Sequence, residues 1–110
     1  MNEIPNKELL STLNYLMERT YKTAKRRGKL KNRLVDAVGD IVNECLEVVE
    51  VRNPLWLDDA NDNKPEGFMA ELADVLVVTL TVLYQFGTLY DIPPAKVVIE
   101  KMEYNERRKD

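Results

Sequence analysis

The chain has 110 residues, a net charge of −3, 45% apolar and 32% charged side chains. That fits one folded domain over residues 1–110 and is too apolar for a disordered chain. The acidic balance argues against duplex DNA or RNA as a partner, the absence of histidine removes Ser-His-Asp and His-ligated zinc chemistry, and a single cysteine, Cys45, excludes an internal disulfide.

Four glycines and five prolines are few for a strand-rich sandwich, so helices are expected. The first is expected from about Lys7 to Arg27. Leu9, Leu10, Leu13, Leu16, Met17, Thr20 and Ala24 recur at helical spacing. Asn6 is the expected N-cap and Gly28 the stop. The run Lys25, Arg26, Arg27, Lys29, Lys31 and Arg33 reads as a solvated helix end, or as a surface that attracts an anion.

The second helix is expected over about Arg33–Arg52, with Leu34, Val38, Ile41, Val42, Cys45, Val48 and Val49 as its apolar face and Cys45 a small buried side chain. Asn53-Pro54 should end it. Residues 53–64 form a polar, turn-rich connection, in which Trp56 can stack on a base or anchor the loop.

The third helix is expected from Pro65 or Glu66 to Phe86, stopped by Gly87. Leu72, Ala73, Val75, Leu76, Val77, Val78, Leu80, Val82 and Leu83 make it apolar nearly all round, which normally means buried. Asp91 is the expected cap of a fourth helix running to about Arg108, with Pro93 and Pro94 in its first turn. The fold class expected is all-α, a four-helix arrangement.

The N-terminal MNEIPNKELL lacks a signal-peptide pattern, and the longest apolar stretch, Val75–Tyr84, interrupted only by threonine, is shorter than the roughly 20 residues of a bilayer span. With the lone thiol, this points to a cytoplasmic chain with no membrane association.

Carboxylates carry the chemistry. Glu44, Glu47 and Glu50 recur every third residue and project over an arc of roughly 120°. Glu71 and Asp74, also three apart, sit at the entrance of the most apolar helix. Carboxylates on facing helices can hold a hard divalent cation, and without histidine that set suits Mg²⁺, with Mn²⁺ as substitute. A solvated face paired by Lys or Arg is the competing reading.

The order Glu44-Cys-Leu-Glu47, then Glu71-Leu-Ala-Asp74, then Lys101 and Asn105 on a last helix resembles the MazG-like all-α nucleoside triphosphate pyrophosphohydrolases. Their signature is ExxE, a gap, ExxD, and a helix with Lys and Asn four residues apart. The run KPEGFMAELADVLV from Lys64 to Val77 looks like that family's third-helix entrance, and the resemblance covers about Val38–Arg108. It implies that Glu44, Glu47, Glu71 and Asp74 bind Mg²⁺, and that Lys101 and Asn105 lie near the triphosphate, with Tyr104 and Arg108 beside them. The implied reaction cleaves an NTP or dNTP between the α- and β-phosphates. Many members carry a second glutamate where this chain has Asn43, which leaves Glu47 or Glu50 as the catalytic base.

Three other readings stay open: the phosphoribosyl-ATP pyrophosphatase of the same fold, a catalytically silent module binding a nucleotide or a partner, and a purely structural dimerisation bundle. A short chain with so apolar a third helix is expected to form a homodimer or homotetramer, with helices three and one as candidate interfaces.

Overall fold

The computed structural model describes residues 6–52 and 65–109. The Asn53-Pro54 helix end, the connection that follows it and Trp56 lie outside the described residues. The chain is all-α: α1 (Asn6–Arg26), α2 (Leu34–Arg52), α3 (Pro65–Leu89) and α4 (Pro94–Arg107), with no strand among the described residues. They fall into two compact units, one formed by the chain up to Gly28 and from Leu80 onward, the other by Lys29–Thr79.

In the first unit α1 and α4 pack on one another. They run antiparallel, since Asn6 at the start of α1 donates from Nδ2 to a Glu103 carboxylate oxygen near the end of α4, 3.3 Å away. Asn6 therefore lies within the first turn of α1 rather than before it. The expected apolar face of α1 is sheltered along Leu9, Leu13, Met17, Thr20 and Ala24, with Met17 fully enclosed. Leu10 and Leu16, one step round the helix, stay exposed. Phe86, Ala95 and Ile99 complete the buried apolar core, and the Tyr21 and Tyr84 rings meet at 5.0 Å. Gly28 ends α1 as expected: its φ is +68°, and its N–H donates to the Lys25 carbonyl.

The end of α3 departs from expectation. The helix runs through Gly87 to Leu89. It closes at Asp91, whose φ is +59°, as the Ile92 N–H donates to Gly87 O at 2.8 Å and the Asp91 N–H to Thr88 O at 3.3 Å. This six-to-one, five-to-two pair is a Schellman closure with Asp91 in the left-handed position. Asp91 is thus not the cap of α4. That position belongs to Pro93, which makes no side-chain capping bond, and Pro94 takes the first helical place.

Gly87 has a different task from the one expected. A Cβ there would stand 2.8 Å from the Ile92 carbonyl oxygen and 3.0 Å from Pro94 Cβ, so the returning chain needs a residue without one. Gly87→Ala is expected to destabilise the protein by about 1–3 kcal/mol, read by chemical denaturation. Asp91→Gly, which relieves a left-handed non-glycine residue, is expected to stabilise it by about 1 kcal/mol or less in the same assay.

The second unit holds α2 and the first part of α3. On α2, Ala37, Ile41, Glu44 and Val48 are sheltered, at spacings of four, three and four. On α3 the sheltered positions are Phe68, Glu71, Val75 and Val78, at three, four and three. These are helix-pairing intervals. The α2 face expected to be buried is therefore split: Ile41 and Val48 turn inward, while Leu34, Val38, Val42, Cys45 and Val49 are exposed. Cys45 is not a buried packing residue.

Nor is α3 buried all round. Leu76 is 59% and Val77 45% exposed, whereas every position from Val78 to Gly87 is at least partly sheltered. As one continuous helix, Gly67–Leu89 is long and apolar enough to cross a bilayer. This corrects the shorter stretch read from Val75–Tyr84 alone. Glu71 and Asp74 lie within that span and would be costly against lipid.

Candidate metal centre

Helix geometry turns the two acidic motifs toward each other. Glu44 takes the third sheltered position of α2 and Glu71 the second of α3, so both carboxylates arise from apolar-flanked faces. Glu47, one turn after Glu44, lies at the exposed rim. One carboxylate oxygen from each of Glu44, Glu47 and Glu71 lies within 4.8 Å of the others. Glu44 Oε2 and Glu71 Oε2 are closed to solvent and have no hydrogen-bond partner.

Orphaned buried acceptors are rare in folded proteins because burial strips them of water without replacing it. Two on facing helices at one spot are a donor set for a hard cation, which takes carboxylate oxygens as ligands. The electrostatics agree. The Glu44 carboxyl is held above its ordinary value, first by burial, then by a hydrogen bond shared with Glu47 and by the charges of Glu47, Asp74 and Glu71. A divalent cation bound there would reverse this tendency and keep the Glu44 carboxylate ionised.

The remaining expected ligands and bases sit differently. Asp74 is exposed and outside the trio, but near enough for its charge to act on Glu44. Glu50 is exposed, a further turn along α2, and outside the trio. Asn43 is exposed beside Glu44. In the basic run, Lys31 is tied to Asp40 at 2.9 Å, and all six cations are exposed.

Lys101, Tyr104, Asn105 and Arg108 belong to the other unit, on the last turns of α4 and just after it. The Lys101 Nζ lies 4.8 Å from the Tyr104 ring centroid and the Arg108 guanidinium carbon 6.0 Å from it. Tyr104 is 51% exposed, a surface aromatic flanked by two cations rather than a core residue. Asn105 accepts the Arg108 N–H through its backbone carbonyl at 3.3 Å, closing α4.

Sequence reasoning missed one feature of this unit. A groove of about 430 Å³ lies between α1 and the start of α4, with Lys7 and Lys96 among its lining residues. No spacing rule reveals it, because its lining comes from two segments far apart in the chain. Compared with models of protein families, with characterised proteins and with solved structures, the chain has no match.

Proposed function

We propose that this protein is a Mg²⁺-dependent nucleoside triphosphate pyrophosphohydrolase of the MazG-like kind, releasing a nucleoside monophosphate and pyrophosphate. The observation that carries the reading is the meeting of Glu44, Glu47 and Glu71 within 4.8 Å, with two of their oxygens buried and unpartnered. In this reading Glu44, Glu47 and Glu71 hold the cation, and Asp74 adds negative charge beside them. Bound Mg²⁺ supplies the positive charge that polarises phosphate oxygens and favours ionisation of water.

Glu47, which is exposed, would in addition accept a proton from the water that attacks the α-phosphorus. The bond from that phosphorus to the bridging oxygen breaks, and pyrophosphate leaves with the electron pair. Glu50 is the second candidate base. Lys101, Tyr104, Asn105 and Arg108 belong to the other unit, and it is the sequence resemblance alone that gives them a substrate-binding role.

Incubation with a panel of nucleoside triphosphates and phosphoribosyl-ATP, under Mg²⁺, Mn²⁺ or EDTA, tests this by product separation on ion exchange. Monophosphate plus pyrophosphate, abolished by EDTA, is the expected result. One observation favours a second reading, a catalytically silent nucleotide-binding module: Asn43 stands exposed beside the cluster, where many MazG-like proteins carry an acid. Mg²⁺-dependent nucleotide binding without turnover, reversed by Asn43→Glu, would establish it.

A further inference from the structure

We infer that the cationic back of α1 binds the phosphate backbone of a single-stranded nucleic acid. The whole-chain charge of −3 hides a sharp division. Arg19, Lys22, Lys25, Arg26 and Arg27 place five cations in nine residues without an acid, which leaves −8 on the rest of the chain. All five are exposed, and all belong to the same unit. At physiological salt, charges on the surface are screened beyond about 8 Å, so the local charge rather than the total decides what binds here.

Helix geometry gathers the cations. Tyr15, Arg19, Lys22, Lys25 and Arg26 fall on an arc of roughly 120°, opposite the sheltered stripe of Leu9, Leu13, Met17, Thr20 and Ala24. The packing of α1 thus turns them outward. Cations in a last turn commonly serve the helix dipole, but that effect ends within the turn, and Lys22 and Arg19 stand one and two turns before the end of α1. Lys22 is paired with Glu18 at 2.7 Å, whereas Arg19, Lys25, Arg26 and Arg27 form no ion pair with another described residue.

The make-up of the arc selects the partner. The guanidinium groups of Arg19, Arg26 and Arg27 match phosphate oxygens two bonds at a time. Tyr15, 61% exposed, presents a ring on which an unpaired base can stack, the pairing of charge and aromatic that holds single strands. A duplex keeps its bases stacked on one another and leaves that ring unused. Between Tyr15 and Arg26 the arc holds no aliphatic side chain, so it has little to bury in an anionic bilayer. The inference does not rest on the carboxylate trio being a metal or catalytic site.

Fluorescence anisotropy of labelled oligouridylate and oligothymidylate with the full chain tests it, in EDTA so that no cation bridges the strand to the trio. Four phosphate contacts predict an affinity that falls about 50-fold between 50 and 200 mM salt. Combining Arg19→Gln, Lys25→Gln, Arg26→Gln and Arg27→Gln should weaken binding at least about tenfold at the lower salt and remove most of that salt dependence. Tyr15→Ala should weaken it about tenfold with the salt dependence kept. The tighter of the two strands identifies the sugar. No saturable binding of either strand at the lower salt would overturn the inference, as would a quadruple variant with unchanged helical circular dichroism that binds like the wild type. Tighter binding of a duplex, or of phosphatidylserine vesicles, would also overturn it. A salt-independent wild-type affinity would do so whether or not the quadruple variant folds.

Discussion

Glu71→Gln is expected to remove saturable divalent-cation binding and to lower nucleotide turnover by at least about 100-fold, while raising the melting temperature of the metal-free protein by a few degrees. The two effects have opposite signs because the carboxylate serves the cation and burdens the fold. Glu71 Oε2 is buried without a partner, and its carboxylate adds negative charge next to Glu44 and Glu47. Glutamine keeps the shape, deletes that charge, and brings an N–H₂ that can donate to the orphaned Glu44 Oε2. One new buried hydrogen bond contributes about 1 kcal/mol. The same swap costs the cation an anionic ligand, and even groups that merely support a ligand are worth about 10–100-fold. A residue of purely structural importance would lose activity and stability together. Thermal melts in EDTA, beside Mg²⁺ titration and product assays, separate the two cases.

The second large effect is in pH. Burial first, and the neighbouring carboxylates after it, raise the Glu44 carboxyl above its unfolded value near 4.5. The folded metal-free state then binds a proton there more tightly than the unfolded state. Its contribution to stability is fully present below about pH 4.5 and is lost as pH rises through the higher folded value. The metal-free protein is therefore expected to melt lower at pH 8 than at pH 5, relative to Glu44→Gln, which lacks this decline. Mg²⁺ acts in the opposite direction, since it binds the ionised carboxylates. At a concentration of about 100 times its dissociation constant it should add about 2.7 kcal/mol at pH 8. That gain should fade toward pH 5 as Glu44 takes up a proton. Melting curves with Mg²⁺ or EDTA at several pH values read both slopes, and a pH-independent Mg²⁺ shift would rule the trio out as its site.

The helices and the acidic motifs were legible in the sequence because both rest on local spacing. Apolar periodicity located all four helices to within about three residues, and Gly28 closed α1 by the rule that named it. Glu44, Glu47 and Glu71 lie within 4.8 Å of one another across α2 and α3, while Asp74, the last acid of the second motif, stays outside the group. The errors have one source, in that local rules do not know which neighbour arrives. Gly87 looked like a helix stop because glycine commonly is one. It is glycine because Ile92 and Pro94 fold back onto it. Asp91 looked like a cap because prolines follow it, whereas the chain reversal needed a left-handed residue there.

Exposure was harder to read than helicity. The sequence marks α2 and α3 as apolar on more sides than one but does not say which side the chain itself covers. Cys45 and Val42 went outward and Ile41 inward, though all three are small or aliphatic and lie on the same helix. Glu71 and Asp74 are three residues apart, yet the roughly 60° between them puts one under cover and leaves the other in solvent. Spacing identified the acids, and only the packing distinguished Glu71 from Asp74.

The most direct test of the carboxylate centre is calorimetric titration of Mg²⁺ into the full chain at pH 8, for wild type and Glu71→Gln side by side. Saturable binding of the cation by the wild type, absent from a Glu71→Gln variant that still melts cooperatively, is the expected result. No saturable binding to the wild type, or equal binding to both proteins, would contradict a metal site at Glu44, Glu47 and Glu71.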